Sequence, residues 1–155
     1  MANTYTQIYM QFVCVVKYRS NLIHTSWKVE LYKYITGIVE AKGHKLLAIN
    51  GMPDHLHILI SMKPHQSTSE LCQVIKANSS RWINERKFTR SKFEWQSGFG
   101  AFSYSKSHVS SVATYIHNQE IHHAKKTFHK EYQEFLIEHE IDFDENYTFH
   151  EPLDE

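Results

Sequence analysis

The chain has 155 residues, of which 41% are hydrophobic and 14% aromatic. This composition provides the core of one folded domain and excludes a disordered chain. No apolar run is long enough to span a membrane and no signal-peptide pattern is present, which predicts a cytoplasmic protein without a membrane partner. The two cysteines have no metal or redox spacing, so we expect reduced thiols.

The net formal charge of zero hides an uneven distribution of charged residues. Residues 131–155 contain ten acidic residues and no Lys or Arg, so residues 1–130 carry a formal charge of +10. Six basic residues of this body cluster around a single acid, Glu85: Lys76, Arg81, Arg86, Lys87, Arg90 and Lys92. A basic surface of this kind is typical of a nucleic-acid-binding protein, although a solvated helix face is the alternative.

The first half of the chain alternates between strand and helix patterns. An alternating run predicts the first strand: Ile8, Met10, Phe12, Cys14 and Val16. A helical pattern follows and ends at Gly43: Trp27, Leu31, Tyr34, Ile35 and Ile38. Two more strands are predicted, from Lys45 to Asn50 and after a turn at Gly51 to Asp54.

The second half adds helices and one strand. A capping box, Ser67 to Glu70, opens the second helix. Glu94 to Tyr104 is a strand pattern interrupted by Gly98 and Gly100, and a helix is predicted from about Ser107, its N-cap, to Ala124. A last helix carries Phe128, Tyr132, Phe135 and Leu136. This order predicts an α+β, ferredoxin-like (split βαβ) fold: an antiparallel sheet with two helices on one face, plus C-terminal helices.

His55 and His57 are the first candidate site residues. Side chains alternate across a strand, so both imidazoles point to one face, where they could hold part of a metal site. We expect that face to be the one away from the two helices, where the histidines would remain reachable. The alternative is an incidental His-x-His in a chain with 12 histidines.

Tyr115 and Gln119 are four residues apart in the helix predicted from about Ser107 to Ala124, here called the tyrosine helix, so they share one helical face. A tyrosine hydroxyl can be a nucleophile, and a glutamine oxygen is a neutral ligand for a hard cation. Taken singly, they would be a core tyrosine and a surface glutamine, and Tyr104 is a competing nucleophile. Three histidines are interpreted as solvated or phosphate-contacting, because none has a spacing that completes a site with His55: His117, His122 and His123.

A histidine-hydrophobe-histidine strand followed by a helix with Tyr-x-x-x-Gln resembles the HUH endonucleases. Within them it is similar to the single-tyrosine transposases of the insertion-sequence 200/605 type. Three further segments carry the resemblance, at the first strand, before the metal strand and before the tyrosine helix: Gln7 to Arg19, Gly51 to His57 and Trp95 to Ser103. The resemblance covers most of the chain and makes residues 1–130 the catalytic domain, with residues 131–155 an acidic C-terminal helix and tail of the same domain.

The resemblance implies a metal-dependent single-stranded DNA transposase. Tyr115 would be the catalytic nucleophile that forms a 5′-phosphotyrosine, and His55, His57 and Gln119 would bind the metal. Mixed N and O ligation suits Mn²⁺ and tolerates Mg²⁺. The six basic residues of the cluster would bind DNA that carries hairpins.

The family also implies a homodimer, in which a glycine hinge at Gly98 and Gly100 lets the tyrosine helix dock on the partner. The expected location is the bacterial cytoplasm, at the nucleoid when DNA is bound. Two alternatives stay open. One is a non-cleaving ferredoxin-like module for single-stranded or hairpin nucleic acid, and the other is a metal-dependent hydrolase with Asp54 as its base.

Overall fold

The computed structural model describes residues 3–124 and 126–142. Four strands, β1 (Ile8–Val15), β2 (Lys45–Met52), β3 (His55–Met62) and β4 (Gly100–Tyr104), form one antiparallel sheet in the order β2-β3-β1-β4. The helices are α1 (Lys28–Ala41), α2 (Thr68–Glu85), α3 (Lys106–His117), α4 (Gln119–His123) and α5 (Phe128–Glu138). The predicted α+β, split βαβ arrangement is confirmed. None of the helices in these ranges has the length and apolar character needed to cross a bilayer.

One face of the sheet packs against α1 and α2. Alternate residues of β1 and β3, such as Phe12 and Ile58, meet the apolar stripe of α1 at Leu31 and that of α2 at Leu71 and Ile75. Gly43, at φ 87°, ends α1 as predicted, since glycine tolerates a left-handed backbone. At the start of α2, the Ser67 side chain accepts a hydrogen bond from the Glu70 backbone N–H at 3.1 Å.

The opposite face carries the histidines, and it is also covered. His55 and His57 lie opposite Val15 and Val13 in the β1–β3 pairing. Residues of α3 pack on Leu59 and Ala48, and residues of α5 pack on Val13 and Val15. The predicted face is therefore right, but the expectation that the histidines remain reachable is wrong. Both are completely buried, because the C-terminal helices form a second layer.

The tyrosine helix differs from its prediction at both ends. It begins at Lys106 with Ser105 as N-cap, so Ser107 is not the cap. It stops at Asn118, whose φ of −99° and ψ of 25° are not helical, and Gln119 opens a separate helix. Asparagine is a weak helix former because its side chain competes for backbone hydrogen bonds. Tyr115 and Gln119 therefore belong to different helices.

The strand predicted from Glu94 to Tyr104 is shorter than expected. Regular pairing begins at Gly100, and Trp95 forms an isolated bridge with Val16. Gly100 is buried in the sheet, where a Cβ atom would lie 2.7 Å from the Tyr132 hydroxyl, so it allows α5 to approach closely. Ser105 alone joins β4 to α3, and both glycines of the predicted hinge precede or begin β4.

Candidate active site

The two histidines of β3 are held with the same orientation by their Nδ1 atoms. His55 Nδ1–H donates to Asp54 Oδ1 at 2.7 Å, and His57 Nδ1–H donates to Gln11 Oε1 at 2.7 Å. Gln11 is itself fixed, because its Nε2 donates to the Tyr104 hydroxyl at 2.8 Å. With Nδ1 protonated, each neutral imidazole directs its Nε2 lone pair into the interior, which is the tautomer that a metal ligand needs.

Glu131 of α5 and His123 of α4 approach the Nε2 atoms of His55 and His57. Glu131 Oε1 lies 3.0 Å from His57 Nε2, 3.9 Å from His55 Nε2 and 3.5 Å from His123 Nε2. The four ligand atoms of this cluster all lie within 4.8 Å of one another. Nitrogen and oxygen donors at this spacing can hold a divalent metal ion.

The hydrogen bonding of the cluster fits a cation among these side chains. His55 Nε2 is buried and has no hydrogen-bond partner within residues 3–124 and 126–142. In its neutral form with Nδ1–H engaged, His57 presents a lone pair to a carboxylate oxygen 3.0 Å away, so two acceptors face each other. Either an extra proton or a metal ion must lie between them. The donor set therefore fits a metal ion.

Tyr115 is joined to this cluster through Glu131. Its hydroxyl donates a hydrogen bond to Glu131 Oε2, the carboxylate oxygen that does not face His57. The Tyr115 ring lies edge-on to His57, with centroids 6.3 Å apart, and stacks on His122 at 4.3 Å. A candidate nucleophile and a metal-type cluster thus share one carboxylate.

Gln119 stays close to the cluster despite the break in the helix. Its side chain is completely buried, and its Oε1 lies 3.1 Å from His123 Nε2. Its Nε2 donates to the Tyr115 carbonyl oxygen at 3.4 Å. The amide oxygen is therefore beside the metal-type ligands, although it is occupied by His123.

Burial and hydrogen bonding decide which groups of the site are charged. Burial lowers the pKa of His55 to about 4, which keeps this imidazole neutral at physiological pH. Burial alone would raise the pKa of Glu131. When a proton lies between His57 Nε2 and the carboxylate, hydrogen bonds from His123 and His57 outweigh burial and hold the pKa of Glu131 well below its usual value. Burial and the hydrogen bond to ionised Glu131 raise the pKa of Tyr115 far above 10.0, so its hydroxyl stays protonated. In this arrangement Tyr115 is not activated as a nucleophile, because its hydroxyl is protonated and bound to Glu131.

Two site residues escaped the sequence analysis. The interpretation that His123 cannot complete a site with His55 is wrong, because His123, the last residue of α4, lies in the cluster with its ring centroid 4.9 Å from that of His55. The charge pattern places Glu131 in the acidic tail. The signal that distinguishes it is its position in the first turn of α5, on the buried face of an amphipathic helix.

Asp54, the candidate base of the hydrolase alternative, does not lie next to the Nε2 atoms that would bind the metal. Asp54 is bonded to the outer nitrogen of His55 and lies 3.7 Å from the Arg19 guanidinium, so it orients a ligand rather than facing the metal position. A cavity of about 450 Å³ reaches His55 and His123 from that side, between Arg19 and Lys126.

The predicted DNA-binding residues divide into two groups. Lys76, Arg81 and Lys92 line one cavity of about 630 Å³, together with Trp95 and Phe99. The remaining three lie elsewhere at the exposed end of α2 and in the following turn: Arg86, Lys87 and Arg90. The Arg86 guanidinium lies 3.4 Å from a Glu30 carboxylate oxygen and over the Trp82 ring.

Comparison with known proteins places this geometry in a family. The family model described as "Transposase IS200 like" matches residues 4–119. The chain belongs to this family. The match includes the IS200-like strand with His55 and His57 and the helix with Tyr115, and it ends at Gln119. His123 and Glu131 therefore lie beyond the matched segment.

Two solved structures resemble the chain over most of its length. A protein of Deinococcus radiodurans R1 assigned as a transposase superposes with a TM-score of 0.63 at 18% identity, over 77% of this chain and 95% of that one. A REP-associated tyrosine transposase bound to a REP hairpin superposes with a TM-score of 0.60 at 15% identity, over 100% of this chain and 98% of that one. A comparison with curated protein sequences gives no match.

Proposed function

We propose that the protein is a metal-dependent single-stranded DNA transposase that cleaves and rejoins strands through a 5′-phosphotyrosine on Tyr115. The observation that carries the proposal is the shared carboxylate, because it joins the Tyr115 hydroxyl directly to the His55 and His57 cluster. A nucleophile next to a Lewis-acid site is the arrangement that phosphodiester cleavage requires.

His55, His57 and Gln119 would hold the catalytic Mg²⁺ or Mn²⁺. When bound, the ion withdraws charge from the scissile phosphate and stabilises the transition state. All three ligands are neutral, so they leave the charge of the ion for the phosphate. Asp54 and Gln11 keep both imidazoles in the ligating tautomer.

For cleavage, the Tyr115 oxygen forms a bond to phosphorus while the bond from phosphorus to the 3′ oxygen breaks. The proton lost by Tyr115 ends on the departing 3′ oxygen, which becomes a free hydroxyl. Glu131 must first release the Tyr115 hydroxyl, because a hydrogen bond to an ionised carboxylate opposes formation of the phenolate. The tyrosine ester conserves the bond energy, so the strand can be rejoined by the reverse reaction.

The test is covalent trapping. Wild-type protein with Mn²⁺ and labelled single-stranded hairpin DNA should give an adduct that survives a denaturing gel. Tyr115→Phe should abolish the adduct and retain DNA binding, because it removes one oxygen atom. The matched control is Tyr104→Phe, which removes the competing hydroxyl and should leave the adduct. An equal adduct from Tyr115→Phe would exclude Tyr115, and a wild-type protein that binds DNA without any adduct would favour the non-cleaving module.

The cavity lined by Lys76, Arg81 and Lys92 is the best-supported DNA-binding surface, because Trp95 and Phe99 add aromatic faces for base stacking. One structural neighbour is bound to a hairpin, which agrees with a hairpin substrate for this chain. Each phosphate contact on a single strand contributes a slope of about 0.7 in log affinity against log salt.

The Arg81→Ala, Lys92→Ala double variant should therefore lower that salt slope by about 1.4. The control with the same charge change is Lys33→Ala, Lys45→Ala, at two exposed positions of α1 and β2. Equal slopes for both double variants would contradict the assignment. The same measurement on an Arg86→Ala, Lys87→Ala variant, with Arg90→Ala added, tests the remaining predicted contacts.

A homodimer with shared sites remains a prediction. Within one chain, Tyr115 already lies beside His57, so the described arrangement is self-contained. Mixing Tyr115→Phe protein with protein that carries His55→Ala and His57→Ala distinguishes the two possibilities. Shared sites should restore part of the cleavage, whereas self-contained sites should give none once subunit exchange has been demonstrated.

A further inference from the structure

The distances from Glu131 to the three histidines are close to the ligand separations of a tetrahedral ion site, and all four ligand atoms lie within 4.8 Å of one another. Glu131 Oε1 lies 3.0 to 3.9 Å from the Nε2 atoms of His55, His57 and His123. An ion with Zn²⁺–ligand bonds of about 2.0–2.1 Å holds its four tetrahedral ligands about 3.3–3.4 Å apart. The observed distances to Glu131 bracket this value, so small side-chain rotations bring all four donors to one ion.

We infer that His55, His57, His123 and Glu131 form a closed Zn²⁺ centre, in which His123 and Glu131 take the coordination positions that a DNA phosphate needs. Three imidazoles and one carboxylate are ligands that Zn²⁺ accepts in tetrahedral geometry. Sites with four protein ligands are structural, whereas catalytic sites keep one position open. The inhibitory consequence rests on the proposed function, because it concerns the same site.

Burial supports four protein ligands instead of three ligands and a water molecule. His55 and His57 are 0% exposed, Glu131 is 2% exposed, and the His123 side chain is 8% exposed. A cavity of about 450 Å³ borders His55 and His123, but the Nε2 atom of His55 is itself buried, so this ligand atom is not open to solvent or to a phosphate. The open form, with Mn²⁺ or Mg²⁺ on His55, His57 and Gln119, therefore requires Glu131 to move away.

The second oxygen of Glu131 extends the effect to the nucleophile. It accepts the Tyr115 hydroxyl, so an ion on Oε1 leaves the Tyr115 hydrogen bond in place. The carboxylate also cancels part of the charge of the ion. Zn²⁺ would thus hold α5 on the site, keep Tyr115 protonated and exclude the scissile phosphate at the same time.

The first experiment measures Zn²⁺ affinity of the metal-free, full-length chain in competition with a chromophoric chelator. Glu131→Gln and His123→Ala should each weaken Zn²⁺ binding by at least about 10- to 100-fold. Removing a residue that only hydrogen-bonds to a metal ligand already causes a loss of this size, and a direct ligand should contribute no less. His117→Ala is the control, an exposed histidine at the end of α3, and should match wild type. Mn²⁺ affinity should fall by less than about tenfold in Glu131→Gln, since the proposed open form holds this ion on His55, His57 and Gln119.

The second measurement needs no variant and so is independent of folding defects. Co²⁺ bound by the wild-type chain should give the intense visible absorption of a four-coordinate ion, and Zn²⁺ should displace it. A weak, six-coordinate spectrum, or equal Zn²⁺ affinity in all variants, would overturn the inference. Neither measurement contains DNA. A missing Tyr115 adduct from protein freed of Zn²⁺ and supplied only with Mn²⁺ would therefore refute the proposed function and leave the four-ligand centre standing.

Discussion

Gln11 is the residue whose replacement tests the site most directly. It is completely buried, accepts the Nδ1–H of His57 and donates to the Tyr104 hydroxyl. Gln11→Leu keeps most of the side-chain volume and removes the acceptor. Neutral His57 can then place its proton on Nε2, the atom directed at Glu131, where it blocks metal binding.

The expected size of the effect follows from two costs. Loss of an outer-shell partner lowers metal affinity about 10- to 100-fold, which equals about 1.4–2.7 kcal/mol. Whichever ring nitrogen carries the proton, the buried Nδ1 of His57 loses its partner, which lowers the free energy of unfolding by about 1–3 kcal/mol. Metal affinity and stability of the metal-free chain should therefore fall together.

Calorimetry with Mn²⁺ and urea unfolding of the metal-free chain measure the two quantities. The control is Tyr104→Phe, which removes the other hydrogen bond of Gln11 and leaves the one to His57. We expect this control to bind Mn²⁺ like wild type. Unchanged Mn²⁺ affinity in Gln11→Leu, or an equal loss in Tyr104→Phe, would refute the role given to Gln11.

Three further predictions concern charge and backbone geometry. Metal-free protein should lose about 3 kcal/mol of stability as pH falls from 6.5 to about 4. The reason is that burial lowers the pKa of His55 to about 4, so the unfolded chain takes up the proton first. Urea unfolding at several pH values measures this loss, and His55→Gln should make stability less dependent on pH. Gly51→Ala should cost more than about 1 kcal/mol, because its Cβ would lie 2.1 Å from the His55 carbonyl oxygen. Gly37→Ala, with open space on α1, should instead stabilise by about 0.5–1 kcal/mol, and thermal melts that fail to separate these two variants would count against the packing. Glu131→Gln should lower the pKa of Tyr115, seen as phenolate absorption at lower pH, and an unshifted titration would show that Glu131 does not control this hydroxyl.

Local patterns were sufficient for most of the fold. The alternation of β1, the helical spacing of α1 and the capping residues Ser67 and Glu70 predicted elements that the structure confirms. The break at Asn118 was not predicted, because the helical pattern continues through it. The spacing of apolar residues predicts that a helix is present but not the residue at which it ends, and here it ends at Asn118.

The site was predicted only in part, because its contacts are distant in sequence. The bond between Gln11 and His57 spans 46 residues, and the contact between His57 and Glu131 spans 74. No periodicity encodes such pairs. Charge alone places Glu131 in the acidic tail, although its position on the buried face of α5 distinguishes it from Glu134 and Glu138. Residues 143–155, the end of that predicted tail, lie outside the described residues.

The helix α5 has a practical consequence for anyone who shortens this chain. Phe128 and Leu136 cover Val13, Val15 and Phe102, so removing α5 would expose an apolar patch on the sheet as well as the metal cluster. A shortened chain could then precipitate or self-associate for reasons unrelated to catalysis. Its inactivity would say nothing about the C-terminal residues, and its activity would arise from a surface that α5 covers in the described structure. Single substitutions within α5 avoid this ambiguity.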